Sequence, residues 1–164
     1  MQSASYLSKL LEYCDILFLQ EHWLSESQLD GLGDIRCTHL ASGINGFGCS
    51  DILKWRPYGG CAMLWCCSLK FEIWPLMVDS RQVCSLLLFC PEFKLLCINA
   101  YMPFEVNTTN FDEFSRRLAI IDDLIDCNPD CHIVLGGDFN VDFSHNWMHT
   151  DLLNAFCQTG MLVR

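Results

Sequence analysis

At 164 residues, with 51% hydrophobic and 18% charged side chains, the chain has the balance of a globular domain and can bury a core, which excludes wholesale disorder. Its formal net charge of −10 argues against a broad basic face for nucleic acid. Any such contact must draw on local positive charge, on a bound cation, or on residues outside this sequence. The most apolar stretch, residues 83–102, is broken by Pro91, Glu92 and Lys94, so it reads as two strands and a turn and not as a membrane span. Met1-Gln2-Ser3-Ala4-Ser5 lacks the basic and apolar regions of a secretion signal. The expectation is one domain over residues 1–164, intracellular (nuclear or cytoplasmic) and not secreted, with no membrane association.

Tyr6, Leu7, Leu10 and Leu11 recur at helical spacing and predict a short first helix. Residues 15–20, Asp-Ile-Leu-Phe-Leu-Gln, form a compact apolar run expected to be a buried strand. Residues 25–33 read as a loop or helical turn, 36–41 as a strand, and the glycine-rich 42–60 as an irregular excursion. After it the pattern becomes β, with strands predicted over 61–66, 71–74, 83–89 and 94–101. The last two are joined by the hairpin turn Cys90-Pro91-Glu92-Phe93. Phe111, Phe114, Leu118, Ile121 and Ile125 mark one face of a helix that Asn128-Pro129 ends. A short buried strand follows over 132–135, and a final helix starts near Thr150. Runs of strands with few helices predict an α+β class, with two sheets packed face to face and helices outside.

Twelve cysteines raise the question of disulfides or zinc. Cys66 and Cys67 are adjacent, Cys127 and Cys131 have no matching pair or histidine tract, and Cys61, Cys84 and Cys97 sit inside apolar runs. That spacing favours reduced, buried thiols acting as small hydrophobes.

Four segments can carry chemistry. Glu21, in Leu19-Gln20-Glu21-His22-Trp23-Leu24, directly follows a buried strand. A strand end can hold a carboxylate at the rim of the core, where a divalent cation that keeps most of its waters can bind, although alone it also reads as an acid opening a loop. His22 and Trp23 read as packing or rim residues. In Arg56-Pro57-Tyr58-Gly59-Gly60 the glycines permit a tight turn and close backbone approach, and Arg56 can pair with phosphate; alone this is an ordinary turn. Tyr101, in Asn99-Ala100-Tyr101-Met102-Pro103, ends a strand, where a phenol can donate to a phosphate oxygen or simply sit at the core edge. In Val134-Leu135-Gly136-Gly137-Asp138-Phe139-Asn140 an apolar strand runs into two glycines. If the backbone stays extended, Asp138 and Asn140 point the same way and Phe139 points into the core. The carboxylate can orient or deprotonate a water and the amide can hold a phosphate oxygen.

Taken in this order, Glu21, Arg56 to Gly60, Tyr101 with Pro103, and Gly137-Asp138-Phe139-Asn140 resemble the successive motifs of the endonuclease/exonuclease/phosphatase superfamily. The wording around Glu21 and over residues 56–65 looks most like the endonuclease domains that precede a reverse transcriptase in non-LTR retrotransposons (LINE-type elements). The resemblance implies a four-layer α/β sandwich with a Mg2+ site, Mn2+ being possible, at one end of two sheets, and cleavage of a phosphodiester of DNA by water. By position, Glu21 is the metal ligand, Tyr101 contacts the scissile phosphate, Asp138 orients or activates the nucleophile, Asn140 binds phosphate, and Arg56 contacts substrate.

Two parts of the family pattern have no counterpart: an opening strand with a metal-adjacent asparagine and a closing Ser-Asp-His segment. His145 and His149 follow Asp138 too closely to replace that histidine. The sequence is therefore expected to be a partial domain with an incomplete sandwich, unable by itself to nick DNA at a useful rate. The acidic charge keeps two other readings open: a non-catalytic remnant that binds a partner or metal, and a phosphatase of the same superfamily acting on lipid or sugar phosphates.

Overall fold

The computed structural model of the chain describes residues 2–46, 59–104, 108–144 and 148–158. Helix α1 (Gln2–Leu10) leads into β1 (Ile16–Gln20), followed by a single turn of helix, α2 (Glu26–Leu29), a 3-10 segment (Asp30–Ile35) and β2 (His39–Ile44). Strands β3 (Cys61–Cys66), β4 (Glu72–Leu76), β5 (Val83–Phe89) and β6 (Lys94–Tyr101) come next. Helix α3 (Thr108–Asp126), β7 (Cys131–Asp138) and α4 (Met148–Phe156) complete the order.

The strands form two sheets. The first has the order β1-β3-β2 and is antiparallel throughout; the second has the order β4-β5-β6-β7. The β5–β6 hairpin closes through the expected turn, where the Cys90 N–H donates to Phe93 O at 3.0 Å. The β6–β7 pair is parallel, because α3 carries the chain back to the same end before β7 starts. Two mainly antiparallel sheets with helices outside are thus the observed α+β sandwich.

Period-two alternation decides what each face buries. Cys61, Met63 and Trp65 of β3 meet Cys84, Leu86 and Leu88 of β5 and Cys97 of β6 between the sheets. The alternate residues Val83, Leu96, Ile98 and Ala100 face outward onto Phe114, Leu118, Ile121 and Ile125 of α3 and Leu153 of α4. Because β5 and β6 are covered on both faces, their sequences read as unbroken apolar runs. On the far side of the first sheet Ala62 and Leu64 are fully buried, and the 3-10 segment packs against β2 and α1. The layers therefore run α3/α4, second sheet, first sheet, α1/α2.

Several local expectations shift. The second strand spans His39–Ile44 and not residues 36–41, so β2 runs into the segment expected to be irregular. Its residues are held there by pairing with β3, which local pattern does not encode. Strand β7 is longer than 132–135 and includes both glycines and Asp138, because parallel pairing with β6 continues to Tyr101. In α1, Leu11 just past the helix is buried, whereas Tyr6 points into solvent at 65% exposure. Among the described cysteines all are free, but only Cys61, Cys84 and Cys97 are buried; Cys37, Cys67 and Cys127 are exposed, so the small-hydrophobe reading holds for the apolar runs alone.

Candidate active site

Residues of β1, β6 and β7 that face the gap between the sheets meet at one end of the sandwich. Asn99 is the fully buried anchor. Its Nδ2 donates to Leu19 O at 3.1 Å and Ala62 O at 2.9 Å, and its Oδ1 accepts from Gln20 Nε2 at 2.5 Å. One amide of the second sheet thereby holds β1 and β3 of the first, directly before Glu21.

Beyond Gln20 the chain turns sharply. Glu21 and Trp23 have φ of 51° and 60°, in the left-handed region that non-glycine residues avoid. The Glu21 N–H donates to Gly60 O at 2.9 Å and the Trp23 N–H to Gly59 O at 3.2 Å. Between them, His22 Nε2 lies 3.0 Å from Ile44 O, and His22 Nδ1 accepts the Leu24 N–H at 3.1 Å. Burial lowers the His22 pKa, which keeps the ring neutral. Gly60, at φ 90°, serves this turn: a Cβ there would stand 2.5 Å from the His22 ring. The close backbone approach expected of the two glycines is met at Gly60 by a side chain of the protein, the His22 ring.

The carboxylate so placed is exposed and accepts a hydrogen bond from the Tyr101 hydroxyl at Oε1. Tyr101 is half-buried, and its pKa is pushed up to about 12, first by burial, then by the hydrogen bond and charge of Glu21 and by the charge of Asp138, with Arg117 opposing. The phenol is therefore a proton-bearing donor at neutral pH. Its backbone is held from both sides: its N–H donates to Gln82 O at 2.8 Å, and its carbonyl accepts from Arg117 Nη1. Arg117 is buried at 8% exposure and also donates through Nε to Glu113 Oε1 at 2.8 Å.

Tyr101 pairs in parallel register with Asp138. Gly137 before it has φ 141°, and a Cβ there would meet Ala100 O at 1.9 Å, so only glycine lets β7 close on β6 at this point. The chain does not stay extended past Asp138, so the condition for strand alternation there is not met. Asn140 is left-handed at φ 50°, its N–H donates to Asp138 Oδ1 at 3.1 Å, and its Nδ2 donates to Met102 O at 2.8 Å. The Met102 N–H in turn donates to Asp138 O at 2.8 Å. A side-chain-closed turn, not strand alternation, sets Asp138 and Asn140 side by side, while Phe139 packs on the α3-facing core as anticipated.

Glu21, Tyr101, Asp138 and Asn140 are thus brought together, while Arg56 lies outside the described residues, as do Pro57, Tyr58 and His145. Asn99, Arg117 and the locking role of His22 were not foreseen. Asn99 was findable as a lone amide inside the apolar run 95–101. Arg117 was findable as a charge on the apolar stripe of α3, four residues after Glu113. Among the described residues no group of three His, Cys, Asp or Glu side chains can hold a metal ion. The exposed carboxylate of Glu21 fits a hard cation that takes one protein carboxylate and completes its shell with water.

The profile of the Endonuclease/Exonuclease/phosphatase family matches residues 1–158. No curated protein matches the chain. Similar solved structures include the endonuclease domain of TRAS1, a telomere-specific non-LTR retrotransposon, at 8% identity and TM-score 0.68, covering 96% of this chain and 65% of that one. A 3′ phosphatase, NExo from Neisseria, bound to a product DNA hairpin, is 15% identical with TM-score 0.64, covering 95% of this chain and 65% of that one. The catalytic domain of human Nocturnin with bound sulfate is 17% identical with TM-score 0.60, covering 98% and 63%. The chain thus spans a little under two thirds of the length of each of these structures, and at such identities the likeness is one of fold.

Proposed function

The chain belongs to the endonuclease/exonuclease/phosphatase family, and from that premise we propose that it carries part of a divalent-metal-dependent phosphodiesterase site acting on DNA. The observation that supports this reading is the meeting of Glu21, Tyr101 and Asp138 where the two sheets end, from positions distant in sequence. Glu21 holds Mg2+ or Mn2+ through its exposed carboxylate. The ion, when bound, offsets charge on the phosphate and its leaving oxygen. Tyr101, which stays protonated, donates to a non-bridging phosphate oxygen once its hydroxyl turns from Glu21. Asp138 accepts a proton from the attacking water, with one oxygen steadied by the Asn140 N–H. The second hydrogen on Asn140 Nδ2 reaches a phosphate oxygen, the first being held by Met102 O. Arg56 contributes a phosphate contact.

Both ring nitrogens of His22 are committed to backbone groups, so it cannot protonate the leaving oxygen. Where an enzyme has a general acid it contributes about a hundredfold to ten-thousandfold in rate, so a site that relies on Glu21, Tyr101, Asp138 and Asn140 alone hydrolyses slowly. The test is nicking of supercoiled plasmid by the purified chain with Mg2+ or Mn2+. Slow, metal-dependent nicking, lost in Glu21→Gln and in Asp138→Ala, is expected. Nicking that persists in both variants at equal purity overturns the assignment.

The charge of −10 favours a second reading, a phosphatase for small lipid or sugar phosphates, since a compact substrate needs no extended basic track. Phosphate release from such compounds, with plasmid left intact, would identify it. Neither activity, with Mn2+ binding retained, would identify a non-catalytic binding module.

A further inference from the structure

We propose that His22 is a positioning residue whose neutral imidazole locks the left-handed turn that presents Glu21 to a divalent cation. The inference rests on the reading of Glu21 as metal ligand and adds to it the group that makes the ligand available. Two non-glycine residues within three positions, Glu21 and Trp23, stand at positive φ. Such a backbone persists only when its surroundings over-determine it. The two backbone hydrogen bonds to Gly59 and Gly60 tie the turn to the chain beside it at Glu21 and Trp23. The His22 side chain adds two further ties. Its Nδ1 accepts the Leu24 N–H, which closes the turn on itself, and its Nε2–H donates to Ile44 O, which fastens the turn to the end of β2. These two bonds require opposite roles of the ring nitrogens, so they select one neutral tautomer.

The fit is steric as well as polar. The His22 ring occupies the space over Gly60 that any other residue's Cβ would take, 2.5 Å from both Cε1 and Nε2. Histidine and glycine are thus complementary parts of one device, 38 positions apart in the sequence numbering. Glu21 itself has few restraints on its carboxylate: it is exposed, and its hydrogen bond to Tyr101 fixes one oxygen. The direction in which the carboxylate leaves the backbone is set by the φ of Glu21, and His22 holds that φ.

Mn2+ alone is the probe, read by loss of the paramagnetic resonance signal of the free aqua ion on titration into the purified chain, with thermal unfolding measured in parallel. Glu21→Gln is expected to abolish the site. His22→Phe keeps a ring over Gly60 but removes both hydrogen bonds, and is expected to weaken Mn2+ binding about tenfold or more in molecules that remain folded, the size typical of losing an outer-shell partner. His22→Asn can still accept the Leu24 N–H in a side-chain turn but cannot reach Ile44, so it should bind with intermediate affinity. If His22→Phe fails to fold, His22→Asn carries the comparison with wild type. A lowered unfolding temperature with Mn2+ affinity unchanged in the folded variants would show a merely structural histidine and overturn the proposal alone. Wild-type affinity in Glu21→Gln would overturn the reading of Glu21 as ligand and the proposal with it.

Discussion

Replacing Asn99 tests whether the two sheets are held in register by one buried amide. The side chain is fully buried and makes three hydrogen bonds to oxygen or nitrogen, with Leu19 O, Ala62 O and Gln20 Nε2, and a longer one to Cys84 Sγ at 3.8 Å. At a net contribution of about 1 kcal/mol each, Asn99→Ala loses about 3 kcal/mol, and the small cavity left behind brings the loss to about 3–4 kcal/mol. For a chain of this size that lowers the melting temperature by about 6–15 °C. Asn99→Asp is the sharper variant. It keeps the volume and the acceptor for Gln20, but turns two attractive contacts into an oxygen facing carbonyl oxygens in a buried site. At pH 7 it should therefore be less stable than Asn99→Ala, although it removes fewer atoms. Burial raises the folded-state pKa of the introduced carboxyl above its unfolded value. The folded variant then binds the extra proton, so its deficit relative to wild type shrinks as pH falls through that raised pKa and grows again as pH rises. Urea unfolding followed by tryptophan fluorescence at pH 5 and pH 7 measures both effects. Losses under 1 kcal/mol in Asn99→Ala, or Asn99→Asp at least as stable as Asn99→Ala at pH 7, would refute the reasoning.

Gly137→Ala places a Cβ against Ala100 O at 1.9 Å and forces a side chain onto φ 141°, so the end of the β6–β7 pairing must separate. A loss of about 3 kcal/mol or more is expected in the same urea assay, whereas Gly31→Ala, with open space around it, should change stability by about 0.5 kcal/mol or less. The thiols should divide by burial. In the native chain Cys37, Cys67 and Cys127 should react rapidly with a maleimide. Cys84 and Cys97, whose pKa values burial pushes up to about 12 and about 11, and Cys61, raised higher still, should react only after unfolding. Mass spectrometry of timed labelling reads this directly, and early labelling of Cys61 would contradict the buried inter-sheet core.

Legibility in the sequence follows how local each determinant is. Strands β3, β5 and β6 were read at their observed bounds, because burial on both faces writes itself as an apolar run bordered by turn residues. Helix α3 announced itself by Phe114, Leu118, Ile121 and Ile125 on one stripe. The end of β7 did not, since two glycines and an aspartate look like a turn, and only the partner strand makes them extend. At the site, the motif order pointed to Glu21, Tyr101, Asp138 and Asn140, but not to how they are held. Nothing local indicates that the Tyr101 hydroxyl faces Glu21, 80 positions away, or that Asn140 leaves the strand and turns back to Met102. Such contacts depend on which strand ends the topology makes neighbours, and that is a property of the assembled sheets.

Pairing of β1 with β3 across an intervening β2 has a consequence for synthesis. Strand β1, Ile-Leu-Phe-Leu-Gln, leaves the ribosome before β3, its strand partner among the described residues, exists. About 40 residues separate the two, which at about 5–20 residues per second leaves an apolar strand edge exposed for about 2–8 s. The β5–β6 hairpin, whose strands are joined by four residues, can close within microseconds of emergence. The nascent chain thus assembles its later half on the fast clock and waits to seat its first strand. During that interval β1 is the segment a chaperone must cover, and ribosome-arrested chains ending before β3 should lose it to protease first.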